Sequence, residues 1–215
     1  MLCKKNNLLY IHIPKCGGNS IKVFLKENLN AELEFDTWHY PYFFFEDKII
    51  LQHFLKFSVV RNPYDRFVSA FSYTYKKVKN KKDYHWKQYP KTYPIFSNYF
   101  EGSDLLSSFK TFVHSKHMND IFENEYPVHF LPQYKFITHR KKRLDFLWKI
   151  EEIASFSDYM VKYFNLRELK RIKKKNQSEH AECQLFYDEE IKEIVFEKYK
   201  KDFFFLRDNY NINYL

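Results

Sequence analysis

The chain has 215 residues, a length that predicts one domain with a sizeable hydrophobic core. Hydrophobic residues make up 45% and aromatic residues 21% of the sequence, which excludes a disordered chain and predicts an aromatic-rich core. The net charge of +9 favours anionic partners, such as nucleotides, anionic sugars, nucleic acids or membrane surfaces, without choosing among them.

The three cysteines are widely spaced and odd in number, so neither a disulfide framework nor a zinc site is indicated. The apolar run at residues 8–13 contains His12 and is too short for the core of a signal peptide. No stretch approaches the roughly 20 apolar residues that a membrane helix needs. We therefore expect a cytoplasmic protein with no membrane span.

The hydrophobic pattern alternates between strands and helices along the chain. Strands are predicted at residues 8–13, 54–60, 134–137 and 144–150. Helices are predicted after a cap at Asn19 or Ser20, and at residues 43–53, 65–78, 103–117, 155–164 and 188–205. Residues 79–97, rich in Lys, Tyr and Pro, are expected to form a long surface loop. This order predicts an α/β domain over residues 1–215, with a central, mainly parallel sheet flanked by helices.

A glycine pair connects the first predicted strand to the first helix. The segment from Pro14 to Ser20 reads Pro-Lys-Cys-Gly-Gly-Asn-Ser, and it holds two of the three glycines in the chain. At the usual frequency of about 7%, roughly fifteen glycines would be expected in a chain of this length. A glycine pair at this position therefore indicates a backbone demand that glycine meets, either a tight turn or the close approach of a ligand. A loop that leads into a helix N-terminus suits a phosphate, and Lys15 adds a positive charge. The lysine precedes the glycines, so this is not a Walker A loop, and a plain strand-to-helix turn is the alternative.

A second strand, turn and helix spans Phe57 to Phe71. Arg61 is predicted at the carboxyl end of its strand, where open α/β sheets bind ligands, and Ser69 follows on the helix. Arginine can hold a phosphate with a bidentate fork, although Arg61 as an ion-pair partner and Ser69 as a core hydroxyl remain open. Two anion sites on neighbouring strand ends would match a ligand that carries phosphate at both ends.

Both segments resemble the PAPS-dependent sulfotransferases, which use 3′-phosphoadenosine 5′-phosphosulfate as donor. The resemblance is to the carbohydrate branch, which includes heparan 2-O-sulfotransferases and many bacterial members. The family's 5′-phosphosulfate loop resembles residues 11–20, with Cys16 where threonine is usual, and its 3′-phosphate element resembles residues 60–70. Weaker similarities lie at residues 129–133, 144–151, 176–178 and 199–203.

The resemblance implies a P-loop-type three-layer fold and a division of the donor site. The residues implied to hold the 5′ end of PAPS are Lys15, Cys16, Gly17, Gly18, Asn19, Ser20 and Ile21. Arg61 and Ser69 are implied to hold the 3′-phosphate, and the basic run at residues 170–175 either closes over the nucleotide or is a solvated face. The product would be adenosine 3′,5′-bisphosphate. No metal is required if Lys15 and the loop neutralise the charge on the leaving group.

The base that deprotonates the acceptor hydroxyl is expected among nine histidines. His39 stands at a position that resembles the base of the heparan 2-O branch, and a loop histidine packed on Trp38 and Tyr40 is the alternative. His129 is the second choice for the base and is assigned to acceptor binding, with His39 contributing there as well. His12 is expected to be a satisfied core group and His53 a helix cap, while Glu34 and Asp36 remain possible bases.

The implied reaction moves a sulfuryl group from PAPS to an acceptor hydroxyl by in-line displacement, with a glycan or glycoconjugate as the expected acceptor. A nucleotide or small-molecule kinase is one alternative, although a Walker A loop and a magnesium-binding carboxylate pattern are not evident. The other alternative is a non-catalytic nucleotide-binding module, because such a protein would keep both the 5′-phosphosulfate loop and the 3′-phosphate element. Nucleic acid is not expected as a partner, since neither an RNP-type nor a helix-turn-helix pattern is present.

Overall fold

The computed structural model describes residues 1–37, 39–46, 51–79, 96, 103–123, 125, 127–138, 143–166, 172 and 183–215. They fall into two compact units, which are taken separately here. The first unit comprises Met1–Asn62, Gln133–Gln177 and Asp202–Leu215, and the second comprises Pro63–Pro132 and Ser178–Lys201. Most of the predicted loop at residues 79–97, and all but Ile172 of the basic run at 170–175, lie outside the described residues. The weak similarity at residues 176–178 lies outside them as well.

The elements alternate as the sequence pattern predicts. The strands are β1 (Leu2–Cys3), β2 (Leu8–Ile11), β3 (Leu55–Val60) and β4 (Phe146–Lys149). The helices are α1 (Gly18–Leu29), α2 (Phe43–Glu46), α3 (Pro63–Lys79), α4 (Leu105–Val113), α5 (Lys116–Glu123), α6 (Tyr134–Ile137), α7 (Ile153–Phe164) and α8 (Glu189–Tyr210). Short 3-10 segments lie at Leu51–His53, Val128–Phe130, Ile150–Glu152 and Cys183–Phe186.

The four strands form one sheet in the order β1-β2-β3-β4. β2 is parallel to β3, with Ile11 opposite Ser58, and β3 is parallel to β4, with Val60 opposite Lys149. β1 is antiparallel to β2 and was not predicted, because two residues are too short for a periodic signal. The prediction of an α/β fold with a mainly parallel sheet flanked by helices is confirmed.

The core of the first unit joins the sheet to α1 and α7. Helix α1 buries residues three and four positions apart, namely Ile21, Phe24, Leu25 and Leu29. Phe57 of β3 packs on Phe156 of α7, with ring centroids 5.4 Å apart, and Phe24 reaches the same ring at 5.6 Å. All but one of the β3 residues are buried, as expected for a strand between two parallel partners.

The core of the second unit is built largely of aromatic rings. Phe67 of α3 lies between Phe109 of α4 and Phe130, at centroid distances of 5.4 Å and 5.6 Å. The buried hydroxyl of Tyr199 donates to the carbonyl of Phe130 at 2.6 Å. The expectation of an aromatic-rich core is met in this unit.

The prediction of a strand at residues 134–137 is wrong, because this segment forms the short helix α6. Both oxygens of Asp202 accept from the backbone at its start, from the N–H groups of Gln133 and Tyr134, each at 2.8 Å. The turn closes where the N–H of Thr138 donates to the carbonyl of Tyr134 at 3.1 Å. The aromatic and branched residues of this segment favoured a strand, but a contact distant in sequence caps a helix instead.

The bounds of several helices also differ from the predictions, and the helix predicted at residues 188–205 is Glu189–Tyr210 in the structure. The helix predicted at residues 103–117 begins at Leu105, capped by Asp104, and ends at Val113, after which α5 starts anew. The helix predicted at 43–53 is described only as α2 and the 3-10 segment that ends at His53. The first helix is not capped by Asn19 or Ser20, since its N-cap is Gly17.

No helix in the described part of the chain is long and apolar enough to cross a membrane. Within the same residues, no group of three or more His, Cys, Asp or Glu side chains is placed to hold a metal ion.

Candidate functional site

The candidate site lies at one edge of the sheet in the first unit. Because β2, β3 and β4 are parallel, the segments that follow their carboxyl ends meet at the same edge. The glycine loop follows β2, Arg61 follows β3, and Glu151 follows β4. The hydroxyl of Ser58 ties β2 to β3 near this edge by donating to the carbonyl of Ile11 at 2.6 Å.

The loop from Pro14 to Gly17 has an unusual backbone. Lys15 has a φ of +67° and Gly17 a φ of +75°, both in the left-handed region. This conformation costs a side-chain-bearing residue about 1 to 2 kcal/mol, so the strain at Lys15 marks it as a candidate for a functional role. Gly17 is the N-cap of α1 and supplies no side-chain hydrogen bond to the start of the helix, and a helix N-terminus of this kind suits an anion.

Each glycine of the pair meets a separate steric demand. A Cβ at Gly17 would lie 2.8 Å from the side chain of Ile150, in addition to the left-handed φ. A Cβ at Gly18 would lie 1.8 Å from Nε2 of His12, so the imidazole of His12 rests directly on the Cα of Gly18. The left-handed turn therefore accounts for glycine at position 17, and the position of the His12 ring accounts for glycine at position 18.

His12, which the sequence analysis expected to be a satisfied core group, lies against Gly18 of the glycine pair. It is half-buried, its ring stacks on the ring of Tyr10 at 5.9 Å, and the ring of His39 lies 4.3 Å from it. Burial raises the pKa of Tyr10 well above its ordinary value, so Tyr10 stays a neutral platform for the His12 ring. The sequence feature that could have indicated this placement is the position of His12, directly after the strand and before the loop.

We expect Gly18→Ala to destabilise the fold by about 1 to 3 kcal/mol, although Gly→Ala in an ordinary helix is stabilising. The added methyl displaces the His12 ring, which is held between Tyr10 and His39. The destabilisation by Gly18→Ala should be much smaller in a His12→Ala background, because the space that the His12 ring fills is then open to the added methyl group. Urea unfolding of the four proteins measures both values. An equal loss of stability in the two backgrounds would show that the His12 ring is not the reason why residue 18 is glycine.

His39 is held beside the loop by its neighbour His12. Its Nδ1 lies 3.1 Å from the carbonyl oxygen of His12. A carbonyl can only accept, so this contact places the proton of a neutral ring on Nδ1 and makes Nε2 the nitrogen that carries the lone pair. That tautomer is the one a general base needs.

The two acidic alternatives for the base are engaged elsewhere. Asp36 accepts from Lys22 at 2.6 Å and from Lys26 at 3.3 Å, and the hydrogen bond from Lys22 in particular holds the pKa of Asp36 below its ordinary value. Glu34 pairs with Lys4 at 3.0 Å, and its backbone bridges to Leu2. These contacts favour His39 over either carboxylate.

The remaining residues implied for the 5′ side lie on the loop and the first turn of α1. Cys16 and Ile21 are buried, Ser20 is half-buried and Asn19 is exposed. Cys16 is not part of a disulfide bond, and neither are Cys3 and Cys183. The exposed amide of Asn19 is therefore available to a ligand, whereas Ile21 anchors the helix in the core.

The residues implied for the 3′-phosphate belong to different units. Arg61 is half-buried at the end of β3 in the first unit, and both of its backbone polar groups bond to Gln133. Ser69 is 4% exposed, in the second turn of α3 in the second unit. The pairing of Arg61 with Ser69 at one phosphate therefore stays a prediction.

His129 lies in the second unit, where it is half-buried beside Tyr73. Their ring centroids are 5.0 Å apart, and the ammonium group of Lys77 lies 5.7 Å from the centroid of the Tyr73 ring. The carbonyl of His129 accepts from the buried guanidinium of Arg66 at 3.2 Å, which fixes the backbone of this segment. A histidine, a tyrosine and a lysine thus form one polar and aromatic group.

A further acidic and phenolic pair lies at the same edge of the sheet. One oxygen of Glu151 accepts from the N–H of Asn62 at 3.5 Å, and the other from the hydroxyl of Tyr214 at 3.2 Å. Burial, reinforced by the charge of Glu151, raises the pKa of Tyr214, so its hydroxyl remains a donor. The sequence analysis noted a weak family similarity at residues 144–151, which include Glu151, but gave no role to Tyr214, whose contact depends on the path of the chain end. Trp38, the expected neighbour of His39, lies outside the described residues.

The family comparison agrees with this arrangement. The model of the sulfotransferase family matches residues 1–210, which is nearly the whole chain. Neither the curated proteins nor the solved structures contain a significant match to the chain. The extent of the family match, together with a mainly parallel sheet whose first parallel strand leads through a glycine loop into a helix, places the chain in the sulfotransferase family, a family of transferase enzymes.

Proposed function

We propose that this protein transfers a sulfuryl group from PAPS to a hydroxyl group on a carbohydrate acceptor. One observation carries the donor assignment: the glycine loop and Arg61 follow neighbouring parallel strands and therefore share one sheet edge. PAPS carries anionic groups at both ends, a 5′-phosphosulfate and a 3′-phosphate. A helix N-terminus with Lys15 suits the first, and an arginine at a strand end suits the second.

The proposed chemistry is an in-line displacement at sulfur. Nε2 of His39 takes the proton of the acceptor hydroxyl, the acceptor oxygen forms a bond to sulfur, and the bond from sulfur to the bridging phosphate oxygen breaks. The electron pair of that bond leaves with adenosine 3′,5′-bisphosphate. Lys15 and the amide groups at the start of α1 stabilise the charge that develops on this leaving group.

The acceptor class rests on charge and on the group around His129. A net charge of +9 favours an anionic acceptor, and the aromatic face of Tyr73 with Lys77 beside it suits a sugar that carries acidic substituents. We assign His129 and His39 to the acceptor hydroxyls. Transfer from labelled PAPS to an acidic polysaccharide, compared with a tyrosine peptide and a simple phenol, tests this class.

Thermal melts with adenosine 3′,5′-bisphosphate, beside ADP and ATP with magnesium, test the donor site. A ligand at 100 times its Kd stabilises the folded state by about 2.7 kcal/mol, which is a measurable shift in Tm. We expect that shift with the bisphosphate, a smaller one or none with ADP, and its loss in Arg61→Ala. Arg143→Ala is the matched control, because Arg143 is exposed and precedes β4 at the opposite edge of the sheet.

Other outcomes separate the alternatives. A shift with ATP and magnesium but none with the bisphosphate would contradict the proposal and favour a kinase. A shift with the bisphosphate, without transfer to any acceptor, would favour the non-catalytic nucleotide-binding module.

A further inference from the structure

Gln133 is a fully buried polar residue just before α6, with 0% of its surface exposed. A buried amide destabilises the fold unless its hydrogen-bonding groups are satisfied. Oε1 of Gln133 accepts from the N–H of Arg61 at 3.0 Å, and Nε2 donates to the carbonyl of Arg61 at 2.9 Å. The side chain thus pairs with both backbone groups of Arg61, as a neighbouring strand would.

The same amide oxygen also contacts the glycine loop. The thiol of Cys16 donates to Oε1 of Gln133 at 3.3 Å, and Cys16 stands between Lys15 and Gly17. One side chain therefore bonds to the segments that follow both β2 and β3, although it lies more than 70 residues away in sequence from the nearer of them. Any shift of Arg61 relative to the loop must stretch or break these bonds.

Gln133 is itself held by a buried carboxylate. Asp202 is 0% exposed, and its two oxygens accept from the N–H groups of Gln133 and Tyr134 at 2.8 Å each. These charge-assisted bonds fix the backbone from which the Gln133 side chain extends. The chain from Asp202 through Gln133 to Arg61 and Cys16 is contained in the first unit.

We infer that Gln133 is a positioning residue for the donor site, which sets the distance between the 3′-phosphate arginine and the 5′ loop, and that Asp202 acts through it. A donor with anionic groups at both ends binds best when the two anion sites are held at one separation, because ordering them on binding would weaken the affinity. The inference rests on the proposed function for the identity of the donor. The linkage of the two segments does not depend on it.

The test combines three single variants, one double variant and one control with two measurements. Gln133→Met keeps the volume and removes all three side-chain hydrogen bonds, whereas Cys16→Ala removes only the contact to the loop. Cys16→Ser restores a donor to Oε1. Gln52→Met, an exposed glutamine in the same unit, is the matched control.

Titration with adenosine 3′,5′-bisphosphate, below the melting range of every variant, is the first measurement. Because Gln133→Met leaves the two anion sites to be ordered on binding, we expect a loss of affinity of at least tenfold in Gln133→Met and a smaller loss in Cys16→Ala. Cys16→Ser should recover most of the latter loss, and Gln52→Met should stay within twofold of the parent. Cys16→Ala should add little in the Gln133→Met background, because both changes remove the same contact.

Amide hydrogen exchange of the ligand-free proteins is the second measurement, and it needs no donor. Gln133→Met should accelerate exchange at the Arg61 amide and in residues 15–18. A folded Gln133→Met protein with parental affinity and unchanged exchange at Arg61 would overturn the inference, as would additive effects of the Cys16 and Gln133 changes. If the parent protein does not bind the bisphosphate, the proposed donor fails, and the exchange measurement alone decides whether Gln133 links the two segments.

Discussion

Lys15→Gly is expected to lower kcat by about 10²- to 10³-fold, the loss typical of removing one group that stabilises developing charge in a transition state. The fold should be nearly unaffected. Lys15 has a φ of +67°, which glycine adopts without strain. Relief of that strain offsets the greater freedom of glycine in the unfolded chain, so the free energy of unfolding should stay within about 1 kcal/mol of the parent.

Initial rates of sulfuryl transfer and urea unfolding of the same preparations measure the two quantities. Lys5→Gly is the control, because Lys5 is exposed in the turn that precedes β2, at the opposite end of that strand. A Lys15→Gly protein with parental kcat would remove Lys15 from the mechanism. A large loss of stability would mean that Lys15 supports the loop structurally despite its strained backbone.

His39→Asn is expected to lower kcat by about 10²- to 10⁴-fold, the contribution typical of a general base. Asparagine can still donate to the carbonyl of His12, so the contact that holds the residue beside the loop is kept. The KM for the donor, and the Tm shift with adenosine 3′,5′-bisphosphate, should remain close to those of the parent. This split between catalysis and donor binding is the signature of a base that acts on the acceptor.

His53→Asn serves as the control, because His53 is exposed at the end of the 3-10 segment Leu51–His53. A weakened donor affinity in His39→Asn would indicate that His39 supports the loop through His12. A His39→Asn protein with parental kcat would show that His39 is not the base. His12, whose ring is 4.3 Å from that of His39, would then be the first of the other histidines to test.

The structure gives a separate physical reason for each glycine of the pair. The scarcity of glycine in the chain pointed to a backbone demand at Gly17 and Gly18, and the expected cause was a tight turn or the close approach of a ligand such as a phosphate. The left-handed φ at Gly17 is such a demand, but Gly18 is required because the His12 ring occupies the place of its Cβ. The pair thus positions a histidine, and through it His39, beside the loop that precedes α1.

Local sequence was sufficient for the elements that are long and regular. The buried strands β2 and β3, and the helices α1, α3, α7 and α8, have hydrophobic periodicities that neighbouring residues reinforce. It was insufficient for α6, where aromatic and branched residues favoured a strand. There the carboxylate of Asp202, about 70 residues away, caps a helix instead.

The sequence by itself determined the α/β class, the glycine loop after the first parallel strand and the arginine after the next. These depend on residue types at fixed local spacing, and the family match over residues 1–210 depends on the sequence as a whole. Only the tertiary structure decided which side chains surround those segments. The contacts of Gln133 with Arg61 and Cys16, and of Tyr214 with Glu151, join residues that are far apart in the chain, and no local pattern encodes them. Parallel strands gather their carboxyl ends at one edge, so such a site is assembled from distant segments only when the sheet forms.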